Sequence, residues 1–192
     1  MTVVCDVDDV INDLMPKTIE LYNAHRPSDI QEVHMEDMTD YDFFDCLMSE
    51  EAVFMLSLFK EKELWSSLRP SKGSQKGLKA LIDDGHKVYL ATATDPDNFA
   101  WKCEWIQKFF PFINPRNIIR IMDKSLLRCD VMIDDCMDNL TSNPCERIVV
   151  DMPWNRDYSK DYIYDLYRAK DWDDIVKYVR DIERKMYEWM KD

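Results

Sequence analysis

The fold is decided by the stretch VVCDVDDVIND, residues 3–13. Its first part continues a short apolar run, TVVCDV, which predicts a buried β-strand. Four carboxylates then follow within eight positions. Carboxylates gathered at the end of a buried strand repel one another unless positive charge lies beside them. We therefore interpret Asp6 and Asp8 as groups that need a metal ion next to them.

Beyond Pro70 the sequence alternates regularly between helical and strand patterns. Amphipathic or capped segments predict helices over residues 73–85, 97–110 and 171–190, and apolar runs predict strands over 87–92, 117–122, 129–135 and 147–151. This alternation is typical of a parallel sheet covered by helices on both faces. The sequence therefore predicts an α/β, Rossmann-like fold.

A different pattern fills the chain between the first strand and the regular part. Residues 15–25 and 49–65 have helical patterns, and the polar, acidic and aromatic segment 26–48 between them predicts a loop with a short helix. We therefore expect a core domain formed by residues 1–12 and 69–192, with a helical insertion over 13–68.

Polar residues with related chemistry follow the predicted strands. They are Asp6 and Asp8 after the first strand, Thr92 at the end of the second, Lys124 between the third and fourth, and Asp134 with Asp135 at the end of the fourth. In parallel sheets, ligands bind at the carboxyl ends of the strands. Acids, a hydroxyl and a lysine at that edge favour a magnesium-assisted phosphate site.

Two other kinds of acidic site known in proteins fit this sequence less well. A calcium-binding EF-hand loop requires an acid or amide where Val10 stands and glycine where Ile11 stands. A phosphoacceptor receiver domain carries its acidic pair first and its lysine on the last strand. Here the acidic pair comes last and the lysine precedes it.

The overall composition narrows the classes of function. The formal net charge of −13 disfavours binding to a nucleic-acid polymer. Only three glycines occur, and neither a P-loop nor a GxGxxG motif is found. The six cysteines form no CxxC pair or zinc-type spacing. The chain has no signal-peptide pattern and no run of about 20 apolar residues, so we expect a cytoplasmic protein that does not enter the membrane.

Together these motifs resemble those of the haloacid dehalogenase-like hydrolase superfamily. DVDDV at 6–10, Thr92, Lys124 and Asp134-Asp135 occur in the order of its four motifs, and the helical insertion resembles its cap domain. Within the superfamily the chain is most similar to the 5′(3′)-deoxyribonucleotidases. The similar stretches are LWSSLRPSKGSQKGLKAL, the spacing of ten from Lys124 to Asp134, KDWDDIVKYV and PWNRDY. The chain differs from the vertebrate enzymes at Cys136, where arginine is expected, and at Ala93, where serine is usual.

The resemblance implies a magnesium-dependent hydrolysis of phosphate monoesters. Asp6 would attack phosphorus and form an aspartyl-phosphate, and Asp8 would act as general acid and then as general base. An acid at the position of Asp8 favours a phosphatase over enzymes that cleave C–halogen or C–P bonds. Lys124 and Thr92 would bind the phosphoryl oxygens.

The resemblance also implies a set of metal ligands. Mg²⁺ would be bound by the carboxylates of Asp6 and Asp134 and by the main-chain carbonyl of Asp8. Asp135 and Asp138 would orient the waters around the ion.

Substrate contacts are expected from the insertion and from loops at the edge of the sheet. The candidates are Phe43, Phe44 and Trp65, with Tyr41 and Phe54 among the other aromatic residues of the insertion, then Ala93 and Thr94, and finally Trp154, Asn155 and Arg156. The substrate would be a nucleoside or deoxynucleoside monophosphate. A sugar phosphate, or a binding role without catalysis, are the alternatives, and the sequence leaves a homodimer open.

Overall fold

The computed structural model describes residues 1–41, 49–157, 166–189 and 191. Its strands are β1 (Thr2–Cys5), β2 (Lys87–Thr92), β3 (Ile118–Arg120), β4 (Val131–Asp134), β5 (Glu146–Val150) and β6 (Leu166–Ala169). Its α-helices are α1 (Leu14–His25), α2 (Ser49–Leu58), α3 (Lys62–Ser67), α4 (Ser74–Asp83), α5 (Pro96–Phe109), α6 (Met137–Thr141) and α7 (Trp172–Trp189). Short 3₁₀ helices include Met35–Asp37, Lys124–Leu126 and Pro153–Asn155.

The six strands form one parallel sheet in the order β3-β2-β1-β4-β5-β6. In its register, Val4 of β1 lies between Tyr89 of β2 and Met132 of β4. The central strands are continuous apolar runs, as expected for strands that are covered on both faces. The predicted α/β, Rossmann-like fold is confirmed, with one strand more than the five expected.

Alternate strand residues pack into two separate core clusters, one on each face of the sheet. Val3 and Cys5 belong to the larger cluster, which also contains apolar residues of α4, α5 and α7. Val4 belongs to the smaller cluster, together with Met137 and Leu140 of α6. Because strand side chains alternate between faces, β1 contributes to both cores and is buried throughout its centre.

The helical insertion over 13–68 remains a prediction, which two features support. The two ends of the insertion lie next to each other, since Asp13 N donates to Arg69 O at 3.2 Å and Ser71 N donates to Ile11 O at 2.9 Å. Residues of α1 and α2 also share a third core cluster, which includes Met15, Ile19, Tyr22, Met38 and Met55. By contrast, Leu64 and Trp65 of α3 pack into the larger cluster of the sheet.

The structure corrects several predicted element boundaries. The helix predicted over 49–65 is divided into α2 and α3. The backbone N–H groups of Lys60 and Glu61 donate to carbonyl oxygens three residues earlier instead of four, and these tight turns end α2. The indole N–H of Trp65 then donates to Phe59 O at 3.0 Å, which fixes the bend. The predicted strand 117–122 is limited to Ile118–Arg120. Among the described helices, none is long and apolar enough to cross a bilayer.

Candidate active site

The carboxyl ends of three neighbouring strands bring the predicted polar residues together. Asp6 follows β1, and its backbone N–H extends the pairing with β4 by donating to Ile133 O at 2.9 Å. Asp134 is the last residue of β4 and Thr92 the last residue of β2. Since β1 lies between β2 and β4, the side chains at 6, 92 and 134 meet at one edge of the sheet.

Lys124 connects two of these carboxylates. It begins the 3₁₀ helix Lys124–Leu126, and its ammonium lies 2.6 Å from Asp6 Oδ1 and 2.8 Å from Asp134 Oδ2. The side chain is only 3% exposed. Burial disfavours its charge, but the two carboxylates outweigh burial and raise the pKa of Lys124 above its usual range. Asn143 holds this turn by donating to Lys124 O at 3.1 Å.

Three carboxylates converge around this lysine. One oxygen from each of Asp6, Asp134 and Asp135 lies within 4.8 Å of the others, and all three residues are buried. Burial raises the pKa of Asp6 to about 7, with Lys124 opposing the shift and Asp134 adding to it. Burial and the neighbouring Asp134 raise the pKa of Asp135 as well. One lysine does not balance three buried acids, so the cluster favours an additional cation.

Asp134 and Asp135 differ in how far their oxygens are already used. Asp134 accepts from Lys124, from Cys136 N at 2.9 Å and from the Asn139 amide at 3.2 Å. Among the described residues, the Asp135 carboxylate accepts one side-chain hydrogen bond, from the Trp154 indole at 3.0 Å. The resemblance implies that Asp135 only orients waters around the ion. In the structure its carboxylate belongs to the acidic cluster and is itself a candidate metal ligand. Asp138 is exposed on α6 and is not part of the cluster.

A tight turn after β1 places Asp8 in the lining of the same pocket as Asp6. Asp9 adopts a positive φ of 56°, a conformation that aspartate tolerates better than most residues. The Asn12 carboxamide stabilises the turn: its oxygen accepts from Asp9 N at 3.0 Å, and its nitrogen donates to Asp8 Oδ1 at 3.1 Å. Asp9 Oδ1 also accepts from Met15 N at 2.7 Å, at the start of α1. Asp9 therefore serves to hold the turn.

Lys102 of α5 is a site residue that the sequence reasoning missed. Its ammonium forms an ion pair with Asp8 Oδ2, donates to Thr92 Oγ1 at 2.9 Å and lies 4.7 Å from the centroid of the Trp65 ring. The side chain is buried. A signal existed, because Lys102 lies three and four residues before the buried Trp105 and Ile106 and so shares their helix face.

A pocket of about 430 Å³ opens above these groups. We call the charged part of its lining the floor, which consists of Asp6, Asp8, Lys102, Lys124 and Asp135. The segment from the end of β2 into α5 forms one wall, with Ala93, Thr94, Asp95 and Asn98. The apolar part of the lining includes Tyr41, Leu56, Phe59, Met122 and Trp154. Charged groups that can bind phosphate and apolar surface line the same pocket, which suits a phosphorylated molecule that carries a flat or apolar group.

The predicted substrate residues are distributed unevenly around this pocket. Ala93, Thr94, Trp154 and Trp65 line it, although Trp65 is 2% exposed and one face of its ring carries Lys102. Phe43 and Phe44 lie outside the described residues.

The other three candidates are engaged elsewhere. Asn155 donates to Asp135 O and Val150 O, both at 2.8 Å, so its amide supports the loop beneath the pocket. Arg156 pairs with Glu36 at 2.7 Å and with Asp151 at 3.3 Å. Phe54 belongs to the core cluster shared by α1 and α2.

Comparison with known proteins links this geometry to one family. The family model for 5′ nucleotidase, deoxy (pyrimidine), cytosolic type C protein matches residues 1–186. The 5′(3′)-deoxyribonucleotidase of Bacillus subtilis is 27% identical over 173 residues, which cover 90% of this chain and 94% of the relative.

Solved structures share the fold at lower identity. A haloacid dehalogenase-like family hydrolase from Xanthomonas campestris superposes with a TM-score of 0.57 at 13% identity, covering 96% of both chains. A predicted phosphatase from Clostridium acetobutylicum gives 0.61 at 16% identity, covering 94% of this chain and 98% of its own. At these identities the two likenesses show the fold alone.

Proposed function

Because the chain belongs to the 5′ nucleotidase, deoxy (pyrimidine), cytosolic type C family, and is therefore a nucleotide phosphatase, we propose that it hydrolyses nucleoside and deoxynucleoside monophosphates with Asp6 as nucleophile. One observation carries this proposal. Asp6 is held 2.6 Å from a buried lysine, beside two further buried acids, at the floor of a pocket of about 430 Å³.

The proposed reaction divides hydrolysis into two displacements at phosphorus. In the first, an oxygen of Asp6 attacks phosphorus, the P–O bond to the sugar breaks, and Asp8 gives a proton to the leaving oxygen. In the second, Asp8 takes a proton from a water molecule, which attacks phosphorus and releases Asp6 and inorganic phosphate. Asp8 lies on the pocket floor beside Asp6, which suits both roles.

Two hydrogen-bond donors of the chain, the Lys124 ammonium and the Thr92 hydroxyl, would hold the phosphoryl group. The Lys124 ammonium is placed between Asp6 and Asp134, where it balances negative charge at the point of attack. The Thr92 hydroxyl lies 3.4 Å from Asp8 Oδ2, next to the residues that line the pocket. Both groups are buried and fixed by neighbours, so little rearrangement would be needed during reaction.

The donor set fits a hard divalent cation. The carboxylates of Asp6, Asp134 and Asp135 supply only oxygen ligands, which Mg²⁺ prefers. We propose that they hold Mg²⁺ together with the main-chain carbonyl of Asp8. When bound, the ion would neutralise the repulsion between Asp6 and an incoming phosphate, about 4 kcal/mol for unit charges about 4 Å apart at an effective dielectric near 20.

A phosphate-release assay over a panel of monophosphates tests the proposal. The panel contains deoxynucleoside 5′- and 3′-monophosphates, ribonucleoside monophosphates and simple sugar phosphates, each with and without Mg²⁺. We expect release from nucleotides to exceed release from sugar phosphates and to stop when the metal is chelated. Equal rates on both classes would replace the nucleotidase assignment by a general phosphatase of the same fold.

The role of Asp6 has its own test. Asp6→Asn keeps the shape of the side chain but removes the nucleophile, so turnover should fall to background while the protein stays folded by circular dichroism. Asp173→Asn, an exposed acid on α7, is the matched control and should retain the wild-type rate. Full turnover by Asp6→Asn would move the chemistry to another residue.

A further inference from the structure

Asn98 is a buried amide that the proposed reaction does not use. It lies near the start of α5, is 9% exposed and lines the wall of the pocket. Within the described parts of the chain, no residue forms a hydrogen bond with its carboxamide. Its polar atoms are not among the side-chain atoms that are both unpaired and sealed from solvent, so they are open to the pocket that the residue lines. The two N–H donors and the carbonyl acceptor of Asn98 are therefore available to a molecule in the pocket.

The helix fixes where that molecule would be contacted. Asn98 precedes Lys102 by four residues, so the two side chains project from the same face of α5 about one turn apart. Lys102 reaches Asp8 and Thr92, beside the place proposed for the phosphoryl group. Asn98 stands one turn nearer the start of the helix. The next part of a nucleotide beyond the phosphate ester is the pentose.

The surroundings of Asn98 agree with a polar part of the substrate at this position. Thr94 and Asp95 line the same wall, whereas Tyr41, Leu56 and Phe59 contribute apolar pocket surface suited to a base. A pentose hydroxyl both donates and accepts a hydrogen bond, and a carboxamide offers both complements.

We propose that the Asn98 carboxamide binds the pentose hydroxyl that does not carry the phosphate. In a deoxynucleoside 5′-monophosphate this group is the 3′-hydroxyl. The inference rests on the proposed nucleotidase function and adds a residue that selects substrates by their sugar. A substrate without this hydroxyl would leave the buried amide unpaired and would therefore react more slowly.

A pair of substrates that differ only in this hydroxyl tests the proposal. The values of kcat/KM are measured for thymidine 5′-monophosphate and 3′-deoxythymidine 5′-monophosphate with wild-type protein, Asn98→Ala and Asn98→Ser. Wild-type protein should prefer the hydroxylated substrate by about tenfold, the loss typical of one unsatisfied buried group. In both variants the ratio between the two substrates should fall towards one. Asp97→Ala, an exposed neighbour in the first turn of α5, should keep the wild-type ratio.

Failure of the role proposed for Asn98 and failure of the nucleotidase function would give different results. A wild-type ratio near one, or a ratio that persists in both Asn98 variants, would overturn the role of Asn98 while leaving the nucleotidase function in place. Hydrolysis of p-nitrophenyl phosphate, which has no sugar, reports whether each variant is folded and chemically competent. If wild-type protein hydrolyses this ester but neither nucleotide, the proposed function itself fails.

Discussion

Replacing Lys102 by methionine tests the least expected part of the site. Methionine keeps most of the length and the apolar character of the lysine stem but removes the charged ammonium. The Asp8 carboxylate would lose its ion-pair partner and keep only Asn12 Nδ2 at 3.1 Å and the Thr92 hydroxyl at 3.4 Å. The Trp65 ring would lose the ammonium that lies 4.7 Å from its centroid.

The size of the effect follows from the burial of the two partners. Removing one member of a fully buried charge pair costs about 3–5 kcal/mol. The Lys102 side chain is 2% exposed, but that of Asp8 is 20% exposed and keeps two other contacts, so water compensates part of the loss. We expect Lys102→Met to lower the free energy of unfolding by about 2–3 kcal/mol, including up to about 1 kcal/mol from the cation–π contact.

Urea denaturation of a double-mutant cycle isolates the ion pair. The four proteins are wild type, Lys102→Met, Asp8→Asn and the double variant. In the Asp8→Asn background, loss of Lys102 should cost no more than about 1 kcal/mol, because the neutral amide needs no counter-charge. Lys79→Met, at a half-exposed lysine of α4, should change stability by less than about 0.5 kcal/mol.

Two results would refute this reasoning. An equal cost of Lys102→Met in both backgrounds would show that the lysine acts only through packing against Trp65. An unchanged kcat would show that it does not position Asp8, since we expect a fall of about 10²-fold from a displaced general acid.

Two further substitutions test packing and pH dependence. Gly77→Ala would place a Cβ atom 2.3 Å from Cε3 of Trp172, whose indole donates to Val10 O at 3.2 Å. Overpacking of about 1–3 kcal/mol exceeds the helix-propensity gain of at most about 1 kcal/mol, so urea midpoints should fall; an unchanged midpoint would contradict this packing. Burial lowers the pKa of His86, although Glu183 opposes the shift at 3.8 Å. The unfolded chain therefore takes up a proton first as pH falls through about 6.5, and wild-type stability decreases there. His86→Gln should lose less stability than wild type between pH 7.5 and 5.5, and parallel losses would exclude this contribution.

Much of the architecture could be predicted because its signals are local. Continuous apolar runs identified five strands, and the rule for parallel sheets placed residues 6, 92 and 134 at one edge. β6 was missed because Leu166–Ala169 is a short edge strand whose first three residues are only partly buried, so its sequence lacks an apolar run.

The site details that were missed depend on tertiary contacts. Adjacent acids at 134 and 135 look alike in sequence, and they are distinguished by tertiary contacts: Lys124 pairs with Asp134, whereas the Trp154 indole donates to Asp135. Lys102 lies in a helix with several charged residues, most of them facing solvent, so its inward position depends on the packing of α5.

The strand order has a consequence for the synthesis of the protein. Val4 pairs with Met132, which lies 128 positions later in the chain. Ribosomes add about 5–20 residues per second, so β4 is synthesised roughly 6–26 s after β1, which it pairs with. During that interval the central strand exposes unpaired backbone groups, which are prone to aggregation. A chaperone that shields the nascent segment should therefore raise the yield of active protein more than one added after release.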